Sequence, residues 1–235
     1  GGIVSLLGVS RDATAAREAL AALRESEARF RAYVESSPNA IFLVDAEGTD
    51  DGRVRLSFPS SITLDGILLS HGISSDLLTA GLVEYRPPDA DEDAEKSGIV
   101  RYVDTISGEG SSMDVVSLLI EAGRTDVEAV LDGETGLLIV DAREFPLTRF
   151  AEGRDLTHET RDALGGVVDV VRPRESGPFP TGEPGWDFAS LTYAGVGETA
   201  LSLLYERSLL EDWETISGPR SVGSFERASV GRAGL

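Results

Sequence analysis

The sequence predicts an α+β chain. Three observations carry that prediction: two short β-branched runs joined by a polar turn, separate stretches with helical periodicity, and a strand-like run that recurs at a domain-sized distance. Ile3 to Val9 is apolar and β-branched, which predicts a strand. Asp12 follows where a helix needs a cap, ahead of Ala15–Leu23, a segment rich in Ala, Leu, Arg and Glu. Leu20, Leu23, Phe30 and Val34 fall on one stripe of the continuing helix, at spacings of 3, 7 and 4. Ser36-Ser37-Pro38-Asn39 stops it, because proline drives the residue before it out of the helical region. Ile41–Val44 then reads as a strand, Asp45–Gly48 with Asp50-Asp51-Gly52 as a polar turn, and Val54–Phe58 as the returning strand of a hairpin.

Further along, Gly98–Asp104 admits either a helix start or a strand, and Met113–Ala122 reads as helical by length and leucine content. Gly136–Glu144 reads as a strand. Set beside Ser5–Asp12, it repeats Leu-Leu, then Val, then Arg followed by an acid, as tandem modules do. Phe145-Pro146 breaks the likeness, since a proline just after the strand disturbs a helical exit. Leu156–Leu164 predicts a helix, Gly166–Val171 a strand, and Arg172–Gly185 a Pro/Gly-rich linker. Thr199–Trp213 predicts a last helix, with Leu201, Leu204, Tyr205, Leu209 and Trp213 on its apolar side.

With 235 residues the chain has room for one or two domains of ~100–200 residues. At 41% hydrophobic it can bury a sizeable core. Its 41 acidic against 21 basic residues give a net charge of -20, which repels duplex DNA and anionic membranes, so direct DNA binding is not expected. Lys96 is the only lysine. Acidic excess with lysine nearly absent resembles the proteins of salt-loving archaea, although a GC-rich genome that favours arginine codons leaves the same mark. The absence of cysteine excludes disulfides, thiolate metal sites and thiol catalysis. No apolar run reaches the ~18–20 residues that span a bilayer, and no basic leader opens the chain. The start lacks methionine, and the chain reads as a cytoplasmic piece of a longer protein.

The segment Gly8–Thr14, the charged helix after it, and Glu27–Gly48 together resemble the junction between two PAS sensor domains of signal-transduction histidine kinases. The resemblance implies a PAS-like antiparallel sheet flanked by helices, with an N-terminal linker helix. It divides the chain into the end of a preceding PAS domain (residues 1–14), a linker or coiled-coil helix (15–35), a sensor domain (27–149) and an unassigned output or linker region (150–235). Asp12 and Thr14 match the Asp-x-Thr that closes a PAS domain and opens its output helix, which implies a signal-relaying cap. Leu56–Ser61, Gly72–Gly81 and Arg86–Asp93 follow the family's order of second strand, pocket-walling short helices and acidic turn, with Arg86-Pro87 where the family has His-Pro. Ile41, Leu43, Leu56 and Phe58 are the candidate ligand-binding positions on the inner sheet face, with His71 beside the pocket wall. The implied partners are a second copy through residues 15–35 and a kinase or output domain in cis. The ligand is left open. Flavin or chromophore adducts through cysteine are excluded, no metal ligands are assigned, and His71 is read as an ordinary loop histidine rather than a haem ligand.

Two alternatives stand beside this one. Leu118–Gly123, Asp126–Ala129, Leu138–Glu144 and Tyr205-Glu206 also resemble the MEDS sensory domain, a RecA-like α/β fold, which would span about residues 52 to 227 and make the sheet parallel. His158, in Thr157-His158-Glu159-Thr160-Arg161, resembles the phosphoacceptor box of histidine kinases, where a neighbouring carboxylate orients the imidazole. The proline of that box is missing, Gly165-Gly166 ends the helix early, and a solvent-facing histidine is the ordinary reading.

Overall fold

The computed structural model describes residues 42–48, 54–88, 98–107, 114–171, 187–210, 212–215, 218 and 226–228. In chain order these form β1 (Phe42–Gly48), β2 (Val54–Ser57), α1 (Ile62–Ser70), β3 (Asp76–Arg86) and β4 (Gly98–Ser107). There follow α2 (Val115–Glu121), α3 (Val127–Leu131), β5 (Gly136–Pro146) and, after a short 3-10 turn, α4 (Phe150–Leu164). β6 (Val167–Val171), β7 (Phe188–Ala194), α5 (Val196–Glu206) and β8 (Glu226–Ala228) complete the order.

Five strands form one sheet in the order β4-β3-β5-β7-β6, each adjacent pair antiparallel. Three more form a second sheet, β2-β1-β8, also antiparallel. The coarse expectation of an α+β fold with an antiparallel sheet and flanking helices therefore holds. The parallel sheet of the MEDS reading does not, because none of the described strand pairs is parallel. The expected hairpin is present, with Asp45 opposite Ser57 and Gly48 opposite Val54, but β1 and β2 lie in the small sheet rather than opening the large one. Where the PAS frame expected short helices over Gly72–Gly81, the chain turns and enters β3 at Asp76. Gly98–Asp104 resolves as the start of β4. Strands on both sides of residue 149 belong to the one large sheet. Asp12, Thr14, Ile41 and the linker helix over residues 15–35 lie outside the described residues.

The core forms in three clusters, each closing one part of β5. Near its start, Leu138 and Val140 meet Val83, Val127, Ala194 and Leu203. Ile139 meets Leu82 of β3 with Leu119 and Ile120 of α2. At its end, Phe145 packs with Leu64 and Leu68 of α1, Phe150 of α4, and Leu191 and Tyr193 of β7. Such burial stabilises by about 25 cal/mol per Å² of apolar surface, so these three contacts define the main body. Local signals place the helices that cover it. Asp114 caps α2 by accepting from the Ser117 N–H at 3.0 Å, and Asp126 caps α3 from the Ala129 N–H at 3.4 Å. None of the helices among the described residues is long and apolar enough to cross a membrane.

Candidate functional site

Between the apolar clusters, β5 buries charge. Alternation along the strand puts Ile139, Asp141, Arg143 and Phe145 on one face, so the two ionised groups sit between two core residues. Arg143 is fully buried and Asp141 is 8% exposed. A guanidinium cannot shed its proton in a protein, so it needs carboxylate partners. Arg143 Nε donates to Asp65 Oδ1 of α1 at 2.6 Å, and Nη2 donates to Asp141 Oδ2 at 3.3 Å. Asp65 also accepts from the Ser75 hydroxyl at 2.8 Å.

Ser61, at the N-cap of α1, holds the other side of the cluster. Its hydroxyl does not cap its own helix; it donates to Asp141 instead. Its backbone N–H donates to Glu198 Oε1 at 3.0 Å. Glu198 stands in the first turn of α5, at the position where a capping-box glutamate reaches back to a preceding N–H; here the N–H belongs to another element. Two glycines make this possible. A Cβ at Gly195 would lie 2.2 Å from Glu198 Oε2, and one at Gly197 would lie 2.7 Å from the Pro59 carbonyl, which accepts from the Gly197 N–H at 3.0 Å. The residues 59–61 that lead from β2 into α1 are thus clamped by the first turn of α5 and by β5.

The electrostatics follow from this geometry. Burial disfavours the charged form of Arg143, but the Asp65 hydrogen bond and the charges of Asp141, Asp65 and Glu198 outweigh it and raise its pKa. Burial pushes the Glu198 pKa up, and the Asp141 charge adds to that; the Ser61 N–H, its own N–H and the Ser61 hydroxyl oppose the shift without cancelling it. Arg143 Nη1 and Glu198 Oε2 are buried without a hydrogen-bond partner among the described residues. Three carboxylates, Asp65, Asp141 and Glu198, thus face one fixed cation, and a change of one charge alters the balance of the whole cluster. Ser61 has a carboxylate beside it but no imidazole among the groups that bond it, so this is not the geometry of a nucleophile and its base. The arrangement suits coupling between elements rather than catalysis.

The other end of α5 is fastened as well. Glu206 accepts from the N–H groups of Val127 and Glu128, each at 3.0 Å, which neutralises the start of α3. Arg207 then pairs with Glu128 at 2.7 Å.

The candidate residues read from sequence lie elsewhere and are not brought together. Leu43 is in β1, opposite Arg227 of β8. Leu56 is in β2, and Phe58 follows that strand beside Gly197. His71 ends α1, exposed, with Nδ1 3.0 Å from the Ile67 carbonyl; its own carbonyl accepts from Arg149 at 3.0 Å. His158 sits half-buried in the middle of α4. Sequence reasoning passed over Ser61, Asp65 and Glu198. The one available signal was the glycine pair in Gly195-Val-Gly197-Glu198, which forms a strand-to-helix turn filled by the protein's own Pro59 carbonyl and Glu198 carboxylate.

Comparison of the sequence with known protein families gives one family. The model of the NrpR regulatory domains NRD1 and 2 matches residues 13–177. The global nitrogen regulator NrpRI of Methanosarcina mazei is 24% identical over 138 residues, covering 57% of this chain and 40% of that protein. This chain therefore spans less than half the length of the curated relative it matches. A nitrogen repressor-like protein from Methanococcus jannaschii, known by crystal structure, superposes with a TM-score of 0.57 at 17% identity, over 93% of this chain and 84% of that one; at this identity it shows the fold alone. These matches overturn the PAS and MEDS resemblances and, with them, the sensor of a two-component histidine kinase, the kinase in cis and the kinase box around His158. The resemblance rested on short strings at a hairpin and a helix cap, which many α+β proteins share.

Proposed function

The chain belongs to the family of NrpR regulatory domains, and we propose that it is the regulatory module of a cytoplasmic nitrogen regulator, changing state with nitrogen supply and passing that change to the surface that acts on transcription. The match of the family model over residues 13–177 carries this reading. The buried Arg143 cluster supplies the means, because it joins α1, β5 and α5 through charge and so ties their positions to one electrostatic balance.

The expectation of no direct DNA binding conflicts with this family reading for the regulator as a whole, since a nitrogen regulator acts at its target genes. The net charge of -20 still opposes close approach of this surface to phosphates, so we place DNA contact outside this segment. The test is genetic. Transcripts of nitrogen-assimilation genes, compared between nitrogen-replete and nitrogen-limited cultures, should lose their difference when the coding segment for this chain is deleted. An unchanged difference contradicts the reading.

A further inference from the structure

The large sheet is rolled. β4 and β7 are separated in it by β3 and β5, which in a flat sheet would put them about 14 Å apart. Yet the Tyr102 hydroxyl of β4 lies 2.5 Å from the Thr192 hydroxyl of β7, and β4 approaches β6, the opposite edge. Four antiparallel steps lead from β4 to β6, so the two edges run in the same direction. Closing the roll through the backbone would need a parallel ladder, and no ladder joins β4 to β6 among the described residues. Side chains hold the seam instead. Asp169 of β6 stands opposite Thr192 in the β6–β7 register, and its charge acts on Tyr102, so the phenol sits where the two edges meet. Burial pushes the Tyr102 pKa up, the Thr192 hydrogen bond opposes that shift, and the charges of Asp169 and Asp141 add to it. The phenol therefore keeps its proton, and the bond joins two neutral groups.

We propose that this seam is a gate: its edges part and rejoin in the native protein, the Tyr102–Thr192 bond is the latch, and β7 carries the state of the seam to the clamp on residues 59–61. One hydrogen bond between neutral groups breaks and re-forms under native conditions far more readily than a ladder does. The edge it holds is short, since β6 has five residues and a ladder on one side only among the described strands. The Tyr102 ring packs against the apolar cluster around Leu138 and Val140, so parting the edges uncovers core. β7 suits the relay because its two faces meet both ends of it. Thr192 faces the seam, and the next residue, Tyr193, faces the other way. Burial raises the Tyr193 pKa and the Glu198 charge adds to that while Arg143 opposes it, which puts this phenol at the charge cluster. Tyr193 also stands opposite Asp141 and donates to the Gly165 carbonyl just ahead of β6. The strand then passes through Gly195 into α5, whose Gly197 N–H and Glu198 carboxylate hold Pro59 and Ser61. The gate rests on the geometry of the sheet and is independent of the nitrogen reading.

Native-state hydrogen exchange on the full chain, followed by NMR, tests the gate. Tyr102→Phe and Thr192→Val each remove one hydroxyl and keep the shape of the side chain. Each should speed exchange of the hydrogen-bonded amides of β4 and β6 by about 3- to 10-fold relative to those of α2 and Ile139, as the loss of one net hydrogen bond implies. The Ser61 and Gly197 amides, which donate across the clamp, should speed up with them. The double variant should go no further than the faster single one, and Thr192→Ser, which keeps a hydroxyl, should match the wild type. Equal acceleration at every amide means general destabilisation and overturns the gate. So does an unchanged seam, or a Thr192→Ser protein that behaves like Thr192→Val. A faster seam with unchanged Ser61 and Gly197 amides overturns the relay to the clamp.

Discussion

The two halves of β5 are both largely buried and are held by different physics. Leu138, Ile139 and Val140 are each at most 2% exposed and meet only apolar neighbours. Asp141 and Arg143, one turn of the pleat later, are nearly as buried but meet a serine and two carboxylates from α1 and α5. The first half is stabilised by contact area and tolerates change in proportion to volume. The second depends on the Arg143 cation being matched by carboxylates, because a buried charge is costly once unpaired. One strand therefore carries a passive core and a set of charges whose balance can shift, and regulation belongs with the second.

The comparison breaks most sharply at Arg143. Arg143→Met removes the cation and leaves Asp65, Asp141 and Glu198 facing one another, so it should cost about 3–5 kcal/mol in urea unfolding. A loss under about 1 kcal/mol would mean that the charged half is an ordinary core after all. Ile139→Ala, in the apolar half, should cost about 2–4 kcal/mol through lost burial and the cavity left behind. Its cost should stay flat between pH 5 and 8, and a strong pH dependence there would blur the contrast. In α2, which covers the apolar half, Asp114→Ala should cost about 1 kcal/mol. Burial works to raise the Asp114 pKa, but hydrogen bonds from Ser117 and Thr215 and the backbone N–H groups of Ser117 and Val116 hold it below the usual carboxylate range. A depressed pKa means that this stabilisation is present above the unfolded value and fades as pH falls through the folded one, so wild type and variant should converge in acid.

Glu198→Gln gives the smallest effect and the most informative sign. Its pKa is raised in the folded state, chiefly by burial, so the folded protein holds this proton more tightly than the unfolded chain does. Its contribution is fully present below the unfolded carboxylate pKa and is lost as pH rises through the folded value. Wild type should therefore lose stability relative to Glu198→Gln on going from acid to neutral pH. Parallel unfolding curves for the two proteins at every pH would remove Glu198 from the charge balance.

Much of the fold was legible in the sequence because its signals are local. The β1–β2 hairpin announced itself by its acidic Gly-containing turn, β5 by Leu-Leu-Ile-Val, and α2, α4 and α5 by leucine content and periodicity. Among the elements that were not legible, three have a clear reason. α1 opens without its expected cap, since the Ser61 hydroxyl is spent on Asp141, and its apolar residues run all round the helix. β3 contains Gly81, whose missing side chain lets the strand lie against Asp104 of β4, where a Cβ would come within 2.2 Å of a carbonyl. It therefore shows no clean alternation. β7 buries Ala189, Ser190, Leu191, Thr192 and Tyr193 in succession, so no polar face marks it as a strand. The site was hidden more deeply. Asp-Ala-Arg-Glu at the end of β5 looks like a strand reaching solvent, and only its partners 78 residues upstream and in α5 make Arg143 an interior residue. Those pairings exist only in three dimensions.

The most direct test of the account is Asp65→Asn in the native organism. This change removes one of the charges that balance Arg143 while keeping the shape of the side chain, and Asp141 remains in place. Transcripts of nitrogen-assimilation genes would be measured in nitrogen-replete and nitrogen-limited cultures, with protein level checked by immunoblot. Ile139→Val serves as a control for general destabilisation. The account predicts that Asp65→Asn accumulates normally but loses or shifts the nitrogen response, whereas Ile139→Val keeps it. A normal response in Asp65→Asn would contradict the claim that the buried charge cluster sets the state of this module.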